Sequence, residues 1–499
     1  MSPARPAAVV VLAAGEGTRM KSAIPKVLHA VGGRSLVHHA VAAAAQLAPE
    51  HLVVVVGHGR DQVKAHLAEV APEARTAVQD QQLGTGHAVA CALADLPDLH
   101  GTVVVTYGDT PLLTGATLLE LVATHADRGN AVTVLTGELD DPTGYGRILR
   151  DASGAVVAVV EQKDASEEQR AIREVNSGIY AFDAAVLAET LARLTTDNAQ
   201  GELYLTDVVG IVSGRGERVA ALPVTDLWQT AGVNDRVQLA AVHRELNRRT
   251  VEAWMLAGVT VVDPATTWVD ADVTLEPDVV LEPGTLLQGR TSVGRGAVVG
   301  PDCRLVDTEV GEGAEVSNTT SYGAVIGAGA TVGPYTYLRP GTRLGRKAKA
   351  GGFTELKNAE LGDGAKVPHL SYVGDASIGA GTNIGAGTIF ANYDGVTKHH
   401  TEVGEHSFVG SNSVLVAPLE IADGAYVAAG SAVTARVEPG ELAVARGKQR
   451  NIRGWVARRR AGSRTAAAAE RAEHSGAHAE QGDPTRQHHE HDQRKGRDA

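Results

Sequence analysis

Val293-Gly294, Val299-Gly300, Ile326-Gly327, Val332-Gly333, Leu344-Gly345, Ile378-Gly379, Ile384-Gly385 and Val409-Gly410 share one spacing: an aliphatic residue, then a small one, then four variable positions. This six-residue unit runs from Val293 to Val433. A helix has no use for a period of six. A β-helix does, because one short strand plus one turn consumes the unit and turns each aliphatic side chain inward. The C-terminal half is therefore expected to be a parallel β-helix.

The hexad is absent from the first half, where strand-like runs (Val9–Ala13, Leu52–Gly57, Thr102–Thr106) alternate with helix-like patterns (Val37–Leu47, Asp61–Val70, Gly86–Ala94). That alternation predicts an α/β domain with a mostly parallel, Rossmann-like sheet, whose ligands sit beyond the carboxyl ends of the strands. Asn234 to Ala257 carries Leu239, Val242, Leu246, Val251 and Trp254 at near-helical spacing among charged residues and stops at Gly258, which predicts one amphipathic connecting helix. The expected division is a nucleotide-binding domain over 1–234, a linker helix over 235–258, a β-helix over 259–457 and a disordered low-complexity tail over 458–499. The tail's His488, His489 and His491 are read as solvated rather than metal-binding.

Two globular domains suit 499 residues, and 57 glycines with 4% aromatics suit interiors of small aliphatics with frequent turns. A net charge of −13 argues against nucleic acid as a partner while leaving room for a local cationic pocket that takes a phosphorylated small molecule. Cys91 and Cys303 lack any disulfide or zinc spacing and are read as buried apolar residues. The apolar start Ala7–Ala14 leads into a Gly-rich turn, so it is read as a buried strand rather than a leader. With no run long enough to cross a bilayer, a soluble cytoplasmic protein is expected.

Three features meet at predicted strand ends. Gly15-Glu16-Gly17-Thr18-Arg19 offers backbone N–H groups to phosphate oxygens, with Arg19 and Lys26 adding positive charge, although Met20 replaces the third glycine of a dinucleotide fingerprint. In Thr106-Tyr107-Gly108-Asp109 a valine run ends in an acid, which is either a turn residue or a ligand for a hard cation. Gln82-Leu83-Gly84-Thr85-Gly86-His87 is a second Gly-Thr turn opening a helix, suited to a base or another phosphate.

Leu12-Ala-Ala-Gly-Glu-Gly-Thr-Arg-Met20 with Pro25-Lys26, Gln79 to His87, Tyr107-Gly-Asp109, Gly144-Tyr-Gly-Arg147, Glu161, Asn176-Ser-Gly178 and Gly232-Val-Asn234 occur in that order. Together they resemble the sugar-1-phosphate nucleotidyltransferases, and most closely the bacterial bifunctional N-acetylglucosamine-1-phosphate uridyltransferase/glucosamine-1-phosphate acetyltransferases, over roughly residues 7 to 456. The resemblance implies that Leu12, Ala13, Ala14, Gly15, Gln79, Gly84 and Thr85 hold the uridine nucleotide. It implies that Arg19 and Lys26 face the phosphates and act in catalysis, and that Tyr107, Gly108, Gly146, Glu161 and Asn176 hold the sugar. Asp109 and Asn234 would bind Mg²⁺.

In the hexads, Leu338-Arg339 and Leu356-Lys357 occupy one repeat position three units apart. Their side chains are expected on successive coils of one face, about 4.8 Å apart, which points either to a phosphate between them or to solvated cations paired with acids such as Glu355. His369, Tyr372 and Asn383 follow, and the hexad breaks between Phe390 and Val403, so Asn392 and Tyr393 are expected on a loop leaving the shaft. A histidine beside two cations is expected to stay neutral and serve as a base.

The same family's acetyltransferase half resembles this set. It implies that Arg339, Lys357, Tyr372 and Asn383 bind glucosamine 1-phosphate, that His369 is the general base and that Asn392 orients the amine. Ala386, Asn392, Tyr393, Ser411, Ala429 and Arg446 would line the acetyl-coenzyme A site. A left-handed coil and a homotrimer, with Arg446 reaching a neighbour, are implied too. The chain thus reads as a two-step enzyme that acetylates glucosamine 1-phosphate and then transfers uridylyl from UTP to N-acetylglucosamine 1-phosphate, serving cell-envelope precursors. A nucleotidyltransferase whose β-helix is only a regulatory or trimerising scaffold is opposed by the coexistence of Arg339, Lys357, His369, Tyr372 and Asn392. A nucleotide-sensing scaffold is opposed by Arg19, Lys26, Asp109 and Asn234.

Overall fold

The computed structural model describes residues 5–96 and 98–479, with side chains through 475. The chain divides into two compact units, residues 1–444 and 445–499.

Valine-rich runs without polar alternation make strands covered on both faces. Ala8–Ala13 is buried at every residue and His51–Val56 at every residue but His51. Across the sheet the order is Val219–Pro223, Val132–Glu138, Glu174–Asp183, Thr102–Tyr107, Ala8–Ala13, His51–Val56, Arg75–Val78. Neighbours are parallel except Glu174–Asp183, which runs antiparallel to both strands beside it. Helices Leu36–Ala45, Arg60–Val70 and Thr85–Leu93 lie within two residues of their expected ends. One face of the sheet packs Val10, Val53, Val103 and Val105 with Ala88 and Val89; the other packs Val9, Val11, Val54 and Val104 with Val41 and Leu121.

The connecting helix is Arg236–Leu256, and Asp235 starts it by accepting a hydrogen bond from the Gln238 N–H at 2.8 Å. Its sparse apolar stripe serves two cores. Val242 packs with Met20, Leu36, Leu112 and Val233, whereas Val251 belongs to the β-helix core. Buried Asn247 ties the helix to the first coil, donating to the Thr267 carbonyl at 2.8 Å and accepting from the Val269 N–H at 2.9 Å.

Beyond it, short strands pair in parallel one coil apart: Leu275 with Val293, Val293 with Val310, Val310 with Ile326 and Ile326 with Leu344. Each coil takes roughly three hexads. The aliphatic positions quoted at the outset are at most 3% exposed and join one core. The residue after each must be small because the next coil passes over it: a Cβ on Gly327 would lie 2.6 Å from the carbonyl carbon of Gly345, and one on Gly362 2.6 Å from the Ala380 nitrogen. Sheets of 11 and 17 strands result, a parallel β-helix in keeping with the left-handed coil that the resemblance implies.

Two expectations need correction. Within the region expected to be disordered, 458–499, Arg464–Ala479 form a helix and Arg458 and Arg459 end another that starts at Trp455. The alanine-rich run Ala466–Ala469 among Arg and Glu has the highest intrinsic helix propensity, and low hydrophobicity does not oppose it. The histidines at 488, 489 and 491 lie outside the described residues. Of the cysteines, only Cys303 is buried, and burial pushes its thiol up to about 11. Cys91 is half-buried with its Sγ 3.6 Å from His87 Nε2, because one side of its helix faces solvent.

Candidate active sites

A cavity of 310 Å³ opens beyond the carboxyl ends of Ala8–Ala13 and Thr102–Tyr107. Leu12, Ala13, Ala14, Gly15, Lys26, Gly84, Thr85, Tyr107, Asp109 and Asn234 all line it. Register explains the convergence, since Leu12 pairs with Tyr107 and the Gly108 N–H donates to the Leu12 carbonyl at 2.9 Å. The Gly-rich turn needs its second glycine: Gly17 has φ +64°, and a Cβ there would lie 2.6 Å from Lys26 Cβ. Lys26 Nζ donates to Asp109 Oδ2 at 2.5 Å and to Asn234 Oδ1 at 3.4 Å. The strand end holds Asn234 in place, because the Val233 N–H donates to the Asp109 carbonyl at 3.0 Å.

Gln79 and Arg19 differ from expectation. Gln79 is buried behind the wall, donating to the Gly84 carbonyl at 3.0 Å, so it shapes the Gly84–Thr85 turn. Arg19 is exposed on the short helix Thr18–Met20 and joins no ion pair among the described residues. Gln82, Val27, Ala88 and Glu202 also line the cavity and were not singled out as binding residues. Gln82 donates to the Ala14 carbonyl at 2.9 Å, and its place at the start of the second Gly-Thr turn was the available signal.

Beside the cavity, Gly146, Glu161 and Asn176 meet. A Cβ on Gly146 would fall 3.5 Å from Glu161 Oε1 and 3.6 Å from Asn176 Cβ, and the Asn176 N–H donates to the Gly146 carbonyl at 2.9 Å. Burial pushes the Glu161 carboxyl up, opposed by a hydrogen bond from Thr206 at 3.3 Å. Burial, then the charges of Glu161 and Asp109, pushes the Tyr107 phenol up as well.

On the β-helix, the Arg339 N–H donates to the Leu356 carbonyl at 2.8 Å and Leu338 pairs with Leu356, so Arg339 and Lys357 do stand on successive coils. Neither cation is bare. Arg339 bonds Glu355 at 2.9 Å and Lys357 bonds Asp375 at 2.8 Å, so the repulsion that asked for an anion is already relieved by acids. A phosphate there must compete with two carboxylates. Lys357 pairs in register with Gly374, and a Cβ on Gly374 would lie 2.6 Å from Asn392 Nδ2 and strike the Tyr372 hydroxyl. Lys357, Tyr372 and Asn392 therefore share one patch.

His369 and Asn383 belong to the other sheet. His369 ends the strand Lys366–His369 and is separated from Tyr372 only by the corner Leu370-Ser371, whereas Asn383 lies in register with Lys366 and Phe408. Ala386, Ser411 and Ala429 stack on successive coils: the Asn412 N–H donates to the Ala386 carbonyl at 2.8 Å and the Gly430 N–H to the Ser411 carbonyl at 2.9 Å. The Gly387 N–H donates to the His369 carbonyl at 3.3 Å, so His369 caps this small-residue column. The break in the hexads is an ordered excursion in which Asp394 accepts from the Val396 and Thr397 N–H groups and bonds His399 at 2.8 Å. Tyr393 stands exposed on it. Arg446 belongs to the second unit.

A MobA-like NTP transferase domain matches residues 9–177. The bifunctional protein GlmU of Streptomyces avermitilis is 63% identical over 94% of this chain and 98% of its own length. That of Streptomyces coelicolor gives the same figures, and that of Kineococcus radiotolerans is 59% identical over 94% of this chain and 96% of its own. The chain belongs to the GlmU family. It is a bifunctional enzyme of UDP-N-acetylglucosamine synthesis, with a nucleotidyltransferase domain and a β-helix that fits the acetyltransferase part. Among the described residues, no helix is long and apolar enough to cross a membrane.

Proposed function

We propose that the two sites carry consecutive reactions: acetyl transfer from acetyl-coenzyme A to glucosamine 1-phosphate on the β-helix, then uridylyl transfer from UTP to N-acetylglucosamine 1-phosphate in the α/β cavity. The observation that carries this reading is the coexistence in one chain of the Lys26–Asp109–Asn234 cluster beside a Gly-rich turn and the Lys357–Tyr372–Asn392 patch one corner from His369. A cytoplasmic location follows from these soluble substrates.

In the α/β site, the Leu12–Gly15 segment with Gly84 and Thr85 holds the nucleotide, backed by Gln79, and Arg19 and Lys26 offset charge on the phosphates. Tyr107, Gly108, Gly146, Glu161 and Asn176 hold the sugar. A phosphate oxygen of N-acetylglucosamine 1-phosphate bonds to the α-phosphorus of UTP as the bond to pyrophosphate breaks, and aligning the two partners is the main task of the site. The donor set fits Mg²⁺: one carboxylate oxygen of Asp109 and one amide oxygen of Asn234 already converge on a single cation, the Lys26 ammonium. Bound there, Mg²⁺ would supply charge neutralisation for the phosphates. The test is pyrophosphate release from UTP and N-acetylglucosamine 1-phosphate: Asp109→Ala should lower it by about 10²-fold or more, and an unchanged rate would exclude Asp109.

In the β-helix site, Arg339, Lys357, Tyr372 and Asn383 bind the sugar phosphate. The Asn392 amide oxygen accepts from the amine, and His369 takes the proton released as nitrogen attacks the thioester carbonyl. The coenzyme A thiolate leaves along the Ala386–Ser411–Ala429 column, with Tyr393 and a neighbour's Arg446 beside it. A homotrimer is supported by an exposed apolar ladder at one corner. Tyr335, Phe353 and Leu370 are each at least 60% exposed with φ between +50° and +58°, and the first two rings stack at 5.2 Å. Bulky side chains in the left-handed region, presented to solvent on successive coils, fit a second copy of the chain.

A further inference from the structure

Asp375 has no part in the scheme above, yet it accepts hydrogen bonds from three side chains. It is 9% exposed, and its backbone lies in the left-handed region at φ +49°. One oxygen accepts from Lys357 Nζ at 2.8 Å and Asn358 Nδ2 at 2.9 Å, and the other from Asn392 Nδ2 at 2.5 Å. These partners come from the coil below and the coil above, so one carboxylate joins three coils. Burial would raise its pKa, but the bonds from Lys357, Asn358 and Asn392 outweigh burial and hold it below the usual carboxylate range.

An ionised carboxylate only accepts hydrogen bonds. The end of the Asn392 amide that faces Asp375 must therefore be its NH₂, which leaves Oδ1 for another partner. The amide has room for this orientation because residue 374 is glycine: a Cβ there would sit 2.6 Å from Asn392 Nδ2. An amine that is to act as a nucleophile keeps its lone pair for the carbonyl carbon and donates N–H, so it needs an acceptor beside it, and Oδ1 is that acceptor.

We infer that Asp375 is a positioning residue for acetyl transfer, fixing the Asn392 amide with its oxygen toward the acceptor amine while holding the Lys357 ammonium that meets the phosphate of the same substrate. The inference rests on the acetyltransferase reading above. It couples the two ends of glucosamine 1-phosphate through one carboxylate. With Asn at 375, an NH₂ replaces one of the two accepting oxygens among three donors, so Asn392 must turn or shift.

The test is steady-state acetyl transfer by wild type, Asp375→Asn, Asn392→Ala and the double variant, with uridylyl transfer by the same preparations as the control for folding. Asp375→Asn should lower kcat about 10–10²-fold and raise KM for glucosamine 1-phosphate, while KM for acetyl-coenzyme A and uridylyl transfer stay unchanged. Adding Asn392→Ala should cost little more, because both changes remove one arrangement. A merely structural role would give additive losses with no change in KM for the sugar phosphate. Wild-type kcat and KM in Asp375→Asn would overturn the inference alone. A wild-type protein that transfers uridylyl but not acetyl groups would overturn the reading beneath it as well. Should Asp375→Asn unfold, Asn358→Ala removes only the third donor; it should keep kcat within about twofold, and a loss equal to that of Asn392→Ala would contradict the assignment of Asn392 as the partner that matters.

Discussion

At the scale of single residues, Lys26 decides how readily the proposed nucleotide site takes a divalent cation. Its ammonium sits between Asp109 and Asn234, with the ion-pair side chains only 13% and 15% exposed. A divalent cation must displace it from the oxygens they share. Lys26→Met should therefore bind Mn²⁺ about tenfold more tightly without nucleotide, as read by paramagnetic resonance, because a competing positive charge is gone. Weaker binding would show that Lys26 supports the site rather than filling it. The residue types here were legible in sequence because a Gly-rich turn and an acid at a strand end carry their own chemistry. Gln79 was not, since no pattern says whether a polar side chain beside a turn faces ligand or backbone. Asp375 was equally hidden, because its partners come from three coils and no local spacing joins them.

At the scale of elements, the hexad was fully legible, as every quoted aliphatic position is an inward one. What it did not reveal was which acids the turns would bring beside the cations, and so the phosphate argument from bare stacked charges weakened once Glu355 and Asp375 were in place. The connecting helix offers a cleaner electrostatic case. Glu245 lies between Arg248 and Arg249, and Arg249 also binds Asp226, which ties the helix to the α/β domain. Hydrogen bonds from Arg248, outweighing burial and joined by Arg249, pull the Glu245 carboxyl from 4.5 to about 2. A depressed carboxylate stabilises the fold above its unfolded value and loses that contribution as pH falls from 4.5 toward 2. Because Arg248 is largely exposed, Glu245→Gln should cost only about 1 kcal/mol at neutral pH. The difference in melting midpoint should shrink through that window, and a constant difference would argue against the ion pairs as its source.

At the scale of the molecule, the two proposed catalytic constellations sit on two unrelated architectures, one beyond the ends of parallel strands and one along coils. The order of motifs along the chain made this division legible, whereas the proposed homotrimer rests on the exposed Tyr335–Phe353–Leu370 corner, which the hexad rule does not mention. No proposed site residue lies beyond residue 457, so deletion after it should leave both activities within about twofold of the full chain. A collapse of acetyl transfer alone would contradict this and assign the deleted segment a part in that site. The central claim is that both reactions run at separate places. Its most direct test is coenzyme A release from acetyl-coenzyme A with glucosamine 1-phosphate, comparing wild type with His369→Ala and assaying uridylyl transfer alongside. Release that requires the acceptor and falls by about 10²–10⁴-fold in His369→Ala, with uridylyl transfer intact, is the predicted result; no release from folded wild type, or equal loss of both activities in the variant, would contradict it.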